Sequence, residues 1–241
     1  MDVHEHYKNH LGNFYSWMLG DWISKKEEFR LFLKEHSILP NESQLAVDLG
    51  AGNGIQTIAL EELGFNVIAI DFNPQLLEEL RTNITSDKTK IIEGDIRKFS
   101  KYLDKKANLI LCCGDTLAHL SSLAEVEILL KEMYQHLDPK GRILLSFRDY
   151  SAALTGDSRF IPVKSDENQI HTCVLDYETD RVRVTDLLYQ KQGSKWEMKI
   201  GSYYKVRITT KEILSLLQGI GFEVLIEKNF QRMTTIVGKR N

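Results

Sequence analysis

The sequence predicts an α/β protein built on a doubly wound, mostly parallel sheet of seven strands. Three observations predict it. Short apolar runs alternate with segments of helical period from residue 45 to 147. The first run enters a glycine-rich turn, Asp48-Leu49-Gly50-Ala51-Gly52-Asn53-Gly54, where small residues let the backbone turn tightly and lie against a ligand. The next two runs also end in acids, at Asp71 and Asp95.

Taken in order, residues 5–36 carry helical patterning, read as two helices. The first is crowded with His10, Leu11, Phe14, Tyr15, Trp17, Met18 and Leu19; the second runs from Asp21 to about Glu35. Pro40-Asn41-Glu42-Ser43 is a turn. A strand at 45–49 leads into the glycine loop, and a helix at 54–63 stops at Gly64, a favoured C-terminal residue. A strand at 66–70 precedes a helix at 74–83 that opens on Pro74, where a missing N–H costs nothing. Strands follow at 90–93 and 107–112, the latter nearly all apolar, as a strand buried on both faces should be. Leu123, Val126, Leu129, Leu130, Met133 and Leu137 recur at helical spacing. Asp138-Pro139-Lys140-Gly141 reads as a turn before a fifth strand at 142–147.

The alternation then breaks. Runs at 170–177, 181–190 and 195–207 are strand-like and separated by the hairpin signals 176–180 and 192–194. They predict an antiparallel insertion after the fifth strand. The main pattern resumes with a helix at 210–218 and strands at 222–228 and 233–238. The expected organisation is an N-terminal helical lid (1–39), a ligand-binding domain (40–150 and 208–241) and the antiparallel insertion (151–207) on the substrate side.

Composition narrows the function. The chain has 241 residues, is 42% hydrophobic and 27% charged, and carries a formal net charge of −3. No basic stripe suits nucleic acid. No apolar run reaches the roughly 18 residues of a membrane span, and the polar N-terminus lacks the apolar segment of a signal peptide. Three cysteines, Cys112, Cys113 and Cys173, fit reduced thiols, and a cytosolic location is expected. His4, His6 and His10 have no thiol near them in the sequence and read as solvated residues, with no metal site.

Ligands of open α/β sheets bind beyond the carboxyl ends of the strands, so the residues there are the candidates. The dinucleotide fingerprint needs its third glycine one residue later, yet position 55 is Ile. Asp48 would also repel a pyrophosphate. Both features argue against a nicotinamide cofactor and favour a cationic nucleoside such as S-adenosylmethionine. Asp71 is placed to accept from ribose hydroxyls. Asp95 is placed to accept from an exocyclic amine, with Ile96 covering a flat base. The fourth strand presents Cys112-Cys113-Gly114-Asp115-Thr116 and the fifth Arg148-Asp149-Tyr150.

In order and character these motifs resemble those of the class I S-adenosylmethionine-dependent methyltransferases, strongly over 40–150 and loosely over 205–241. The resemblance implies a Rossmann-like fold, S-adenosylmethionine as methyl donor and S-adenosylhomocysteine as product. It places the cofactor against Asp48, Gly50, Ala51, Gly52, Asp71, Phe72, Asp95, Ile96, Cys113, Gly114 and the lid's Tyr15. The segment from Cys113 to Leu120 is similar to its counterpart in glycine N-methyltransferases, as are Arg148-Asp149-Tyr150 and, loosely, Trp17 to Asp21. That similarity implies an Arg148 contact with the acceptor. Asp115 stands where that group has Asn, and Met18 where it has an aromatic. The expected function is methyl transfer to a small molecule, an amine or amino-acid-like nitrogen, with His119, Arg148 and Asp115 in catalysis. Transfer to oxygen or carbon, or cofactor binding without turnover, are the alternatives. Tyr7, Tyr15 and Trp17 are expected to cover the site, and Tyr203 and Tyr204 to reach it.

Overall fold

The computed structural model describes residues 3–241. Its centre is a seven-stranded sheet formed by β1 (Leu45–Leu49), β2 (Asn66–Asp71), β3 (Thr89–Glu93), β4 (Ala107–Cys112), β5 (Leu137–Phe147), β10 (Phe222–Phe230) and β11 (Met233–Arg240). The spatial order is β10-β11-β5-β4-β1-β2-β3. The first five strands pair in parallel, and β11 runs antiparallel to both β5 and β10. The order reverses between β1 and β4, which opens a crevice at their carboxyl ends.

The connecting helices are α4 (Ile55–Glu62), α5 (Pro74–Asn83), α6 (Leu123–His136) and α7 (Thr210–Ile220). Their ends follow local chemistry. Asn73 accepts from the N–H groups of Gln75 and Leu76 ahead of Pro74. Ser122 accepts from Glu125, and Thr209 with Glu212 forms a reciprocal capping box. Each such cap is worth about 1 kcal/mol. Core residues cover both sheet faces: Val47, Leu49, Ile110 and Leu145 on one, and Ala46, Val67, Leu109 and Leu144 on the other.

The N-terminal segment is more broken than its periodicity suggests. It forms α1 (Val3–Asn9), a 3₁₀ turn (Leu11–Asn13), α2 (Tyr15–Leu19) and α3 (Trp22–Glu35). Gly20 ends α2 at φ +83°, a backbone conformation that a side chain disfavours, and Asp21 caps α3. The pieces dock on the domain through polar contacts. Asn53 of the glycine loop donates to Ser16, which in turn donates to Glu79 of α5.

A second, four-stranded antiparallel sheet lies between β5 and α7, in the order β6 (Phe160–Ser165), β7 (Gln169–Tyr177), β8 (Arg181–Gln192) and β9 (Lys195–Val206). Strand β6 escaped the sequence reading because Pro162 interrupts it; proline is tolerated there because β6 is an edge strand. The turn expected at 138–141 is instead a bulge within β5. Leu137 pairs with Ala107 and pairing resumes at Arg142 opposite Leu109 after a register shift, with Lys140 at φ +63°.

Candidate active site

A cavity of about 300 Å³ lies across the carboxyl ends of the parallel strands, under the N-terminal helices. Its floor is the glycine loop. Gly50 is at φ +81°, and a Cβ there would collide with the Thr116 side chain, so only glycine closes this turn. A Cβ at Gly52 would have Tyr15 at 3.9 Å as its nearest neighbour. The lid's Tyr15 ring therefore lies within ordinary van der Waals reach of a side chain at that position.

Of the residues singled out by sequence, Gly50, Ala51, Gly52, Asp71, Phe72, Asp95, Ile96, Cys113, Gly114, Tyr15 and His119 line this cavity. They come from β1, β2, β3 and β4, the 3₁₀ turn after β4 and the lid. Asp71 shapes the floor as well as lining it: its carboxylate accepts from the N–H of Gly52 and of Asn73, both at 2.8 Å. Asp95 caps the turn that follows it and is held by the Arg97 guanidinium. Burial opposes its charge, but the Arg97 contacts prevail and lower its pKa. Burial pushes the Cys113 thiol well up, so it stays neutral.

Asp48, Asp115 and Arg148 are not among the lining residues. Asp48 is 1% exposed and accepts from Thr57 Oγ1 at 2.7 Å. Burial pushes its carboxyl up to about 6, against that hydrogen bond. It props the glycine loop from behind, off the cavity lining. Asp115, 2% exposed, sits in the left-handed region at φ +72°. It accepts from Lys205 Nζ at 2.5 Å, the Arg148 N–H at 2.9 Å and the Tyr150 hydroxyl at 3.0 Å. Burial opposes its charge, and the Lys205 ammonium outweighs burial, so its carboxyl lies below the ordinary value. The negative charge that Asp115 brings where the resembled enzymes have Asn is thus matched by a lysine 90 residues away. The Arg148 side chain is 54% exposed, its Nε 4.0 Å from Asp115.

His119 lines the same cavity from the 3₁₀ turn after β4. Its Nε2 lies 3.3 Å from the Tyr7 hydroxyl, and its ring stacks on Tyr203 at 5.6 Å. Its buried Nδ1 has no partner among the described residues. Burial, aided by the nearby Lys205 ammonium, lowers its pKa to about 3, so the imidazole is neutral throughout the physiological range. Tyr7 packs edge-on against Phe72 at 5.4 Å and, with Tyr15, roofs the cavity. Burial raises both phenols, Tyr15 to about 12. Trp17 turns away and donates to Asp166 of the insertion at 2.5 Å. Tyr204 is 41% exposed on the opposite side of β9.

Two features were hidden from sequence reasoning. His6 and His10, read as solvated, are 0% and 7% exposed. His6 Nε2 and His171 Nε2 each lie 2.9 Å from one oxygen of Asp186. Burial works against that carboxylate, and the two imidazoles outweigh it, holding its pKa well below the ordinary range. This cluster fastens α1 to the insertion sheet. No signal near His6 announces a partner 180 residues away; His4 falls outside the described side chains. Among the described residues no cluster suits a metal ion. The second feature is the far wall, where Lys25 and Phe29 of α3 meet Phe230, Gln231, Met233 and Thr235. The β10–β11 turn uses Gln231 and Arg232 at positive φ in place of the usual Asn-Gly, so it carried no turn signal.

Comparison with known proteins agrees with this geometry. A methyltransferase-domain family model matches residues 47–145. A glycine/sarcosine N-methyltransferase of Aphanothece halophytica is 27% identical over 133 residues, 54% of this chain and 48% of its own length. The glycine N-methyltransferase of Homo sapiens is 25% identical over 194 residues, 66% of this chain and 64% of its own. The chain spans about half the length of several curated relatives it matches. An amino pentose methyltransferase of Micromonospora echinaspora superposes with a TM-score of 0.78 over 96% of this chain and 97% of its own, at 14% identity, a likeness of fold. Among the described residues no helix is long and apolar enough to cross a membrane.

Proposed function

We propose, from a chain of the class I S-adenosylmethionine-dependent methyltransferase family, that it methylates a neutral amine nitrogen of a small molecule. The observation that carries this reading is a single cavity lined by the glycine loop, Asp71 and a neutral His119 whose buried Nδ1 has no partner among the described residues. The names of relatives support it: glycine/sarcosine N-methyltransferases in sequence and a sugar N-methyltransferase in fold.

The residues fit the donor. Gly52 lines the cavity and puts no side chain between its backbone and a ligand lying against it. Asp71 accepts from ribose hydroxyls while keeping the loop in shape, and Asp95 and Ile96 meet the adenine. Lys25 lines the methionine end and makes no ion pair among the described residues, so its ammonium suits the donor's carboxylate. S-adenosylmethionine supplies a methyl group on a sulfonium that departs as a neutral thioether.

The protein's own part is alignment and exclusion of water, which together supply up to roughly 7–11 kcal/mol in well-oriented systems. Tyr7, Tyr15 and Phe72 roof the site, the role proposed for the N-terminal lid. His119 orients the acceptor by a hydrogen bond. As a base it is poor: an imidazole with a pKa of about 3 does not take a proton from an alkylammonium, so the proton leaves to solvent after transfer. Arg148 at the rim and Asp115 behind it act on the acceptor at most indirectly, with Asp115 as a positioning residue.

The direct test is calorimetric titration with S-adenosylhomocysteine, followed by turnover on a panel of amino acids, amino sugars and simple amines. Binding of S-adenosylhomocysteine and turnover of an amine support the reading; binding of NAD alone overturns it. Lys25→Ala is expected to raise KM for the donor about tenfold with kcat unchanged, the signature of lost uniform binding worth about 1.4 kcal/mol. An unchanged KM removes Lys25 from the site.

The pH profile is a further check. His119 is already deprotonated above about pH 3, so kcat/KM is expected to rise with pH until the free acceptor amine loses its proton, with no inflection near 6.5. An inflection there that disappears in His119→Asn would make His119 a true general base.

A further inference from the structure

The four-stranded sheet has two faces of opposite character. The inner face carries His171, Asp186, Tyr203 and Lys205, which meet the lid and the end of β4. The register settles the outer one. Trp196 lies opposite Lys191, Met198 opposite Tyr189, Ile200 opposite Leu187, and Tyr189 opposite Ile170. Hence Trp196, Met198, Ile200, Leu187, Tyr189 and Ile170 share a face. Trp196, Met198 and Ile200 are 45%, 51% and 55% exposed, and Ile170 is 39% exposed. Phe160 extends the patch onto β6 at 49%.

Contiguous apolar surface of this kind is rare on a monomer and marks an interaction site. Charge is distributed as at an interface, depleted at the centre and present at the ends. On this face Arg183 and Asp176 sit at one end and Lys191 at the other, and the positions between them are uncharged. The outer edge of the sheet is guarded differently. On β9, Lys195, Glu197 and Lys199 alternate with the apolar residues, which discourages strand addition at the edge and leaves the face itself as the contact.

We propose that this face joins two copies of the chain, sheet against sheet, about a two-fold axis. The extent supports that occupant. Strands of 6, 9, 12 and 12 residues, at about 3.3 Å per residue and about 4.8 Å between strands, cover roughly 600 Å² per copy. The pair therefore buries about 1,200 Å² before side-chain relief is counted, the size of a specific interface. The inner face of the same β9 carries Tyr203 and Lys205, so the contact braces the strand that holds Asp115.

The test is sedimentation velocity on the whole chain over about 1–100 μM, a range in which an interface of this size is populated. The wild type is expected to sediment at twice the mass of the chain, and Trp196→Glu/Ile200→Lys as a monomer with thermal midpoint and S-adenosylhomocysteine affinity near wild type. Ile170→Lys, on a different strand of the same face, gives the same result by an independent route if the double variant fails to fold. A wild type that stays monomeric, or variants that stay dimeric, overturn the proposal. So does a monomeric wild type that co-sediments with phosphatidylglycerol vesicles, which would assign the face to a lipid surface.

Discussion

Asp115→Ala is expected to destabilise the protein by about 3–5 kcal/mol, because it leaves a buried ammonium without its counter-charge. Lys205 is 8% exposed and lies 2.5 Å from the Asp115 carboxylate. The Tyr150 hydroxyl and the Arg148 N–H lose the same acceptor, and alanine must adopt a left-handed backbone at φ +72°. Asp115→Asn tolerates that backbone and keeps an acceptor, so it isolates the charge and is expected to lose less. Urea unfolding at pH 7 measures both. The sign with pH follows from the lowered carboxyl of Asp115. Its contribution is fully present above the unfolded carboxyl value and is lost as pH falls through the lower folded value. Wild type and variant should therefore converge in strong acid. A loss below about 1 kcal/mol would show that Lys205 does not depend on Asp115.

Asp71→Ala is expected to weaken S-adenosylhomocysteine binding about 100-fold or more, or about 2.7 kcal/mol. The structure adds a second consequence. The Asp71 oxygens hold the N–H groups of Gly52 and Asn73, so alanine also loosens the glycine loop, at about 1 kcal/mol per lost bond. Asp71→Asn keeps one acceptor oxygen and separates the two effects: it retains most of the stability while still losing affinity. Calorimetric titration and thermal unfolding on both variants make the distinction. Affinity within threefold of wild type in Asp71→Ala would place the ribose elsewhere.

These two aspartates differ in how openly the sequence displayed them. Asp71 ends an apolar run, and the strand periodicity before it and Pro74 after it show where the chain turns. Its place on the cavity was therefore legible. Asp115 also follows an apolar run, and its position was legible too, but its environment was not. The lysine that neutralises it lies on the fourth strand of an inserted sheet. The same holds for Asp48, an acid at a strand end that faces Thr57 instead of the cavity. A strand's period of two tells which residues share a side, and not which side meets a ligand.

What the sequence by itself determined is the part of this protein governed by short-range rules: the strand–helix alternation, the glycine loop, most helix bounds and the existence of an antiparallel insertion. Hydrophobic period, caps and turn residues act within a few positions of the chain and can be read there. Only the tertiary structure decided which acids face the cavity, that His6 and His171 share Asp186, that Lys205 answers Asp115, and that α3 and the β10–β11 turn complete the wall. Those outcomes depend on register and packing between segments as far as 206 residues apart. There the desolvation of a charge is settled by whichever partner the fold brings within reach.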